Sequence, residues 1–256
     1  MAFPIRCTTE HSGQLERIVL DRPKGNILDC ETLAAICARI EELSQAPGPA
    51  KLLVFEGAGG NFSFGASVEE HLPDRVAAML GQFHRLFWEL ERLSVPTAAV
   101  VRGQCLGGGF ELALWCTYVA CEPSARFGVP ETKLGVFPPI AALALPWRVT
   151  GARSTQMILS GESLDGREAT RCGVADVCAD DAEAALQEWF RTKLAGKSAV
   201  ALRAAYRASR RLLTDSLKND IWSLEKFYLT ELMSHRDPVE GISAFLEHRA
   251  PVWTHQ

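Results

Sequence analysis

The stretch that most restricts the fold is "PTAAVVRGQCLGGGFELALW", residues 96 to 115. The apolar run Ala98 to Val101 reads as a buried strand, and it leads within a few residues into three consecutive glycines, Gly107 to Gly109. A glycine inside a helix costs about 1 kcal/mol relative to alanine. A triplet at the mouth of a helical segment therefore belongs where the turn is tight or another group must approach the backbone. Such a turn leaves the first N–H groups of the helix unpaired. With the positive end of the helix dipole, they suit a developing negative charge. Close packing at the turn is the simpler alternative. The helical segment then sets Glu111 among Phe110, Leu112, Ala113, Leu114 and Trp115. A carboxylate there either pairs with a distant arginine or is held neutral by desolvation.

Around this stretch, strand and helix patterns alternate. Residues 15–20, 51–57, 96–103, 118–122 and 174–178 read as strands, and Glu31–Leu43 and Met79–Leu93 as amphipathic helices. This alternation implies crossover connections, largely parallel pairing and an α/β fold. After about residue 180 only helical patterns remain: Ala182–Leu194, Ala199–Leu213, Leu217–Met233 and Pro238–Glu247. The division expected is an α/β core over 1–195 and a helical region over 196–256. That tail either forms an oligomer contact or folds back on the core.

Apolar residues make up 47% of the 256, enough for a sizeable core. A net charge of −4 argues against a nucleic-acid surface. The arginines at 203, 207, 210 and 211 are a local exception, read as a solvated face or one that meets phosphates or a neighbouring subunit. The eight cysteines show neither CxxC spacing nor a zinc pattern, so reduced thiols in a cytoplasmic protein are expected, with no metal. No segment reads as a signal peptide or a bilayer span, so no membrane is expected.

Two further stretches carry chemistry. In "NFSFGASVEEH", residues 61–71, Gly65 precedes Ser67-Val-Glu-Glu70, a capping-box pattern predicting a helix from about residue 68. The N–H of Ala66 would point out of that turn. In "ARFGVPETKLG", residues 125–135, Pro130 presets a turn or first helical position, with Glu131 directly after it. Taken singly, the first is an ordinary helix cap and the second a solvated glutamate.

Taken together, the order "NFSFGAS … GQCLGGGFELAL … ARFGVPETKLGVFP" resembles the crotonase family of enoyl-CoA hydratases and isomerases. The likeness runs from "LERIVLDRPKGN" to "EGISAFLEHRAP". It implies a spiral of ββα units followed by helices that build a homotrimer, often paired into a hexamer. It also implies an oxyanion hole from the amides of Ala66 and Gly108, holding the thioester oxygen of an acyl-CoA. Glu111 and Glu131 match the two catalytic glutamates of the hydratases. Ser63, Gly65, Ser67 and Val68 fall in the substrate-binding turn, and Lys24 is the candidate for coenzyme A contact, against a solvated turn lysine. No cofactor is implied beyond the coenzyme A of the substrate. Glu111 is assigned as base toward water and Glu131 as proton donor to carbon.

The sequence departs from the family pattern in three places. Ser67 stands where Asp is common, "RPKGNIL" is one residue shorter than the usual turn, and Pro138-Pro139-Ile140-Ala141-Ala142-Leu143 replaces a glycine-rich turn. The last two features are most similar to the branch of the family that hydrates a cyclic dienoyl-CoA. A stiff apolar wall would suit a flat, wide acyl group.

Overall fold

The computed structural model describes residues 3–256. A six-stranded sheet forms its frame. β1 (Ile5–Glu10) lies antiparallel to β2 (Leu15–Leu20), followed in parallel by β3 (Leu52–Gly57), β4 (Thr97–Val101), β6 (Tyr118–Cys121) and β9 (Val177–Cys178). Both faces are covered, which is why the central strands read as continuous apolar runs. Leu52, Val54, Ala98 and Val100 pack against α7 (Ala182–Trp189), whose end continues as a π turn through Leu194. Leu53, Phe55, Ala99 and Val101 face the opposite way, into the larger core with α1 (Cys30–Gln45) and α2 (Val76–Leu93).

A second sheet of three short strands positions the functional groups. β5 (Gln104–Leu106) pairs in parallel with β7 (Arg126–Gly128), and β8 (Ser163–Asp165) runs antiparallel to β7. α3 (Gly108–Trp115) leaves the end of β5, and α4 (Pro139–Ala144) lies against it. α5 (Gly151–Ser160) and α6 (Gly166–Cys172) flank β8 in sequence. α8 (Ala199–Ser209), α9 (Arg211–Thr230) and α10 (Arg236–Leu246) complete the chain. Leu213, Leu217, Ile221, Tyr228 and Ile242 from the expected 196–256 region are buried in the same core as Phe110 and Ile140.

Two expectations fail for identifiable reasons. The helix predicted over Ala199–Leu213 breaks at Arg210, and the next begins at Arg211. Arg210 is drawn inward: its Nε donates to Glu91 at 3.0 Å and its guanidinium lies 5.1 Å from the centre of the Trp115 ring. The arginines therefore form no single solvated face, since Arg203 also turns back to the carbonyls of Gly48 and Ala50. The capping box at Ser67–Glu70 does not form either. Glu70 instead accepts the N–H of Cys30 at 3.1 Å, at the positive end of the much longer α1. Residues Glu69–His71 make only one 3-10 turn, without a side-chain cap. All eight cysteines are free thiols, and among the described residues no helix is long and apolar enough to cross a membrane.

Candidate active site

Three extended segments, residues 62–63, β5 and β7, lie side by side and run the same way. Leu106 N–H donates to Ser63 O at 3.0 Å, and Gly107 N–H to Gly128 O at 2.9 Å. This register brings three turns to one edge: Gly65-Ala66, Gly107-Gly108 and Val129-Pro130-Glu131. Gly65 (φ 103°) and Gly107 (φ 50°) occupy conformations that side-chain-bearing residues avoid. A Cβ on Gly108 would stand 3.2 Å from Ala66 N, and one on Gly65 would stand 3.3 Å from Gly108 N. The two amides are thus neighbours, and among the described residues neither donates to a protein acceptor.

The first turn is held from behind. Ser63 Oγ donates to Asn26 O at 2.7 Å and accepts from Gly65 N–H at 3.0 Å. Ser63 is fully buried and does not line the cavity, so its part is to brace the turn rather than to touch a ligand. In the shortened "RPKGN" turn, Lys24, Gly25 and Asn26 all have positive φ. Asn26 Nδ2 fastens the turn to the carbonyls of Ala58 and Asn61, each at 2.9 Å, and Gly25 O accepts from Phe64 N–H at 2.8 Å. The shorter turn therefore still anchors the strand that leads to Ala66.

The amides open onto a cavity of about 680 Å³, whose lining includes Gly65, Ala66, Ser67, Val68, Gly108 and both glutamates. Lys24 lies on its rim and also borders an adjoining hollow of about 500 Å³. Phe137, Pro138 and Pro139 supply part of an apolar wall, whereas Ile140 and Ala141 are buried behind it.

Glu111 projects from α3 and is only 3% exposed. Its Oε1 accepts the Ala141 N–H at 2.7 Å. Burial pushes its carboxyl up to about 7, against the opposing pull of the Ala141 and Ile140 amides. Glu131 sits in the 3-10 turn Pro130–Leu134 after β7. Burial and the charge of Glu111 both drive it well above the usual carboxylate range. Its Oε2 is buried without a partner, and a Cβ on Gly107 would stand 2.9 Å from its Oε1. The bare glycine at 107 thus leaves room for the second carboxyl beside the amides. Both carboxyls are held above the ordinary range, with Glu131 raised by burial and by the charge of Glu111, and the pair faces two unused N–H donors. The arrangement combines a polarising site for a carbonyl oxygen with a proton acceptor and a proton donor.

The cavity also contains groups that the sequence did not single out. His71 lines it with Nδ1 tied to Ser67 O at 2.8 Å, and Tyr228 enters from α9. His71 ends the first motif stretch, residues 61–71, so the sequence carries a local signal for it. Tyr228 gave no signal, because it sits in an ordinary amphipathic pattern. Among the described residues no group of three His, Cys, Asp or Glu side chains is arranged to hold a metal ion.

This fold and site define a class: residues 10–256 match the enoyl-CoA hydratase/isomerase family, and the chain belongs to it. The chain is 43% identical over 250 residues to the cyclohexa-1,5-dienecarbonyl-CoA hydratase of Thauera aromatica, covering 98% of this chain and 96% of the relative. It is 31% identical to the carnitinyl-CoA dehydratase of Salmonella typhi, covering 94% and 95%. An enoyl-CoA hydratase structure from Mycobacterium avium subsp. paratuberculosis K-10 superposes with a TM-score of 0.85 at 27% identity, covering 98% of both chains. The α/β crotonase-like fold expected from the motifs is the fold observed, and the relatives' names agree with an enzyme of the hydro-lyase type.

Proposed function

We propose that the protein adds water across a conjugated acyl-CoA thioester, with cyclohexa-1,5-diene-1-carbonyl-CoA as the first-ranked substrate, in anaerobic aromatic breakdown. One observation carries the reading: the Ala66 and Gly108 amides share a cavity with two carboxyls of raised proton affinity. The thioester oxygen accepts both N–H bonds. As charge moves onto it, those preorganised donors stabilise the enolate, and loss of one such donor typically costs about 3–4 kcal/mol of barrier. Ionised Glu111 takes a proton from water, the hydroxyl bonds to the acyl chain, and protonated Glu131 delivers its proton to carbon. A proton passing from Glu111 back to Glu131 resets the pair. Each transfer is worth roughly 10²- to 10⁴-fold.

The Phe137-Pro138-Pro139 wall and the 43% identity to a hydratase named for a cyclic dienoyl thioester support the substrate assignment. Lys24 and the adjoining hollow are suited to the coenzyme A moiety, and the reaction needs no other cofactor. Trp222 and Phe227 on α9 are 63% and 45% exposed, which supports self-association; the family resemblance adds the expectation of a homotrimer or a pair of trimers, in the cytoplasm. A panel of acyl-CoA thioesters, followed by loss of conjugated absorbance, tests the reading. Turnover of the cyclic diene above crotonyl-CoA is expected. Preference for crotonyl-CoA would point to a straight-chain hydratase, double-bond migration without hydration to an isomerase, and binding without turnover to a silent acyl-CoA binder.

A further inference from the structure

Of the buried side-chain polar atoms without a partner among the described residues, two belong to residues lining the reaction cavity: Glu131 Oε2 and the Tyr228 hydroxyl. Tyr228 is 1% exposed, and its ring packs against Phe137 with centroids 5.1 Å apart. Phe137 belongs to the segment that follows the Glu131 turn. The ring is therefore fixed relative to the acid, although it comes from α9 near the far end of the chain. An unpaired buried hydroxyl costs stability, and its tolerance here calls for a task. Burial and the charges of Glu131 and Glu111 all push the phenol above its ordinary range, so it remains a proton-bearing donor.

We infer that Tyr228 is a positioning residue that acts through Glu131: the two are not hydrogen-bonded at rest, and the phenol O–H is the unused donor in the shared cavity that turns to the carboxylate charge developing as Glu131 passes its proton to substrate carbon. This rests on the hydration reading. The donor matters little while Glu131 is protonated and most once the O–H bond of Glu131 is breaking. Its effect accordingly belongs to the transition state rather than to substrate binding. No bond to Tyr228 is made or broken, and its proton stays on the phenol. The other titratable groups lining the cavity are His71, Glu69, Lys24, Lys133 and Arg249.

The test is Tyr228→Phe, which keeps the ring and removes the donor. If the donor bonds the charge only as it forms, its loss predicts a fall in kcat of about 10- to 100-fold with KM nearly unchanged. Loss of the donor raises the proton affinity of Glu131, so the alkaline limb of the pH–rate profile moves upward. In a Glu131→Gln background, the same substitution should add no further loss. An unchanged rate and an unchanged profile in Tyr228→Phe would overturn the inference. Titration of the Glu131 carboxyl by infrared difference spectroscopy, in wild type and in Tyr228→Phe, reads the link without turnover. An upward shift in the variant supports it, and coincident titrations refute it. Absence of turnover by the wild-type protein would instead defeat the hydration reading, so the two failures are distinguishable.

Discussion

Glu91 and Glu131 are both withdrawn from water, yet their surroundings are opposite. Around Glu91, where α2, α3, α8 and α9 meet, the carboxylate collects Trp115 Nε1 at 2.9 Å, Tyr206 Oη at 3.1 Å, Arg210 Nε at 3.0 Å and Thr214 Oγ1 at 2.5 Å. Around Glu131, one oxygen meets no donor, and the charge of Glu111 repels. The helix α3 touches both regions: Trp115 at its end serves the satisfied carboxylate, while Glu111 near its start faces the unsatisfied one. One element thus carries a structural junction and the proposed reaction centre, told apart by how many donors converge on each acid.

The largest expected effect tests the reactive side of this contrast. Glu111→Gln should lower hydration at least a hundredfold, with the melting temperature unchanged or raised. The double variant with Glu131→Gln should be little worse than either single one, since the pair acts as a unit. Next, Glu91→Ala strands the buried Arg210 and should cost about 3–5 kcal/mol in denaturant unfolding. The rate per folded molecule should be retained; a selective loss of rate with stability intact would erase the distinction between the two regions.

A smaller effect concerns pH. Burial pushes the Glu111 carboxyl up to about 7 in the fold, whereas an unfolded glutamate titrates near ~4.3. The folded state binds that proton more tightly, so the contribution of this group to stability falls as pH rises through that window, while the ionised base becomes available. Thermal unfolding of Glu111→Gln should show a flatter pH dependence over the same window, and the wild-type kcat/KM should rise through it. The smallest effect is at Ser67, whose side chain caps nothing. Ser67→Ala should stay within about 0.5 kcal/mol, whereas a working cap would cost about 1 kcal/mol.

The alternating pattern made β2, β3, β4, β6, α1 and α2 readable but not β1, while Ala66, Gly108, Glu111 and Glu131 stand out as one set only through the family resemblance, since each taken alone has an ordinary structural explanation. β5, β7 and β8 are three residues each, too short for alternation to register, yet their pairing is what aligns the turns. The diversion of Glu70 to α1 and the inward turn of Arg210 depend on partners distant in sequence. Tyr228 is the extreme case: its spacing marks only a helix face that meets a core, and nothing local tells that the core there is a cavity.

On the proposed reading, the backbone bond from Ala141 to Glu111 ties substrate size to proton affinity. Pro138 and Pro139, which line the proposed acyl pocket, immediately precede Ile140 and Ala141, whose amides temper Glu111, the proposed base. Remodelling that wall to admit a different chain therefore retunes the catalyst as well, so altered selectivity and a displaced pH optimum should travel as one trait.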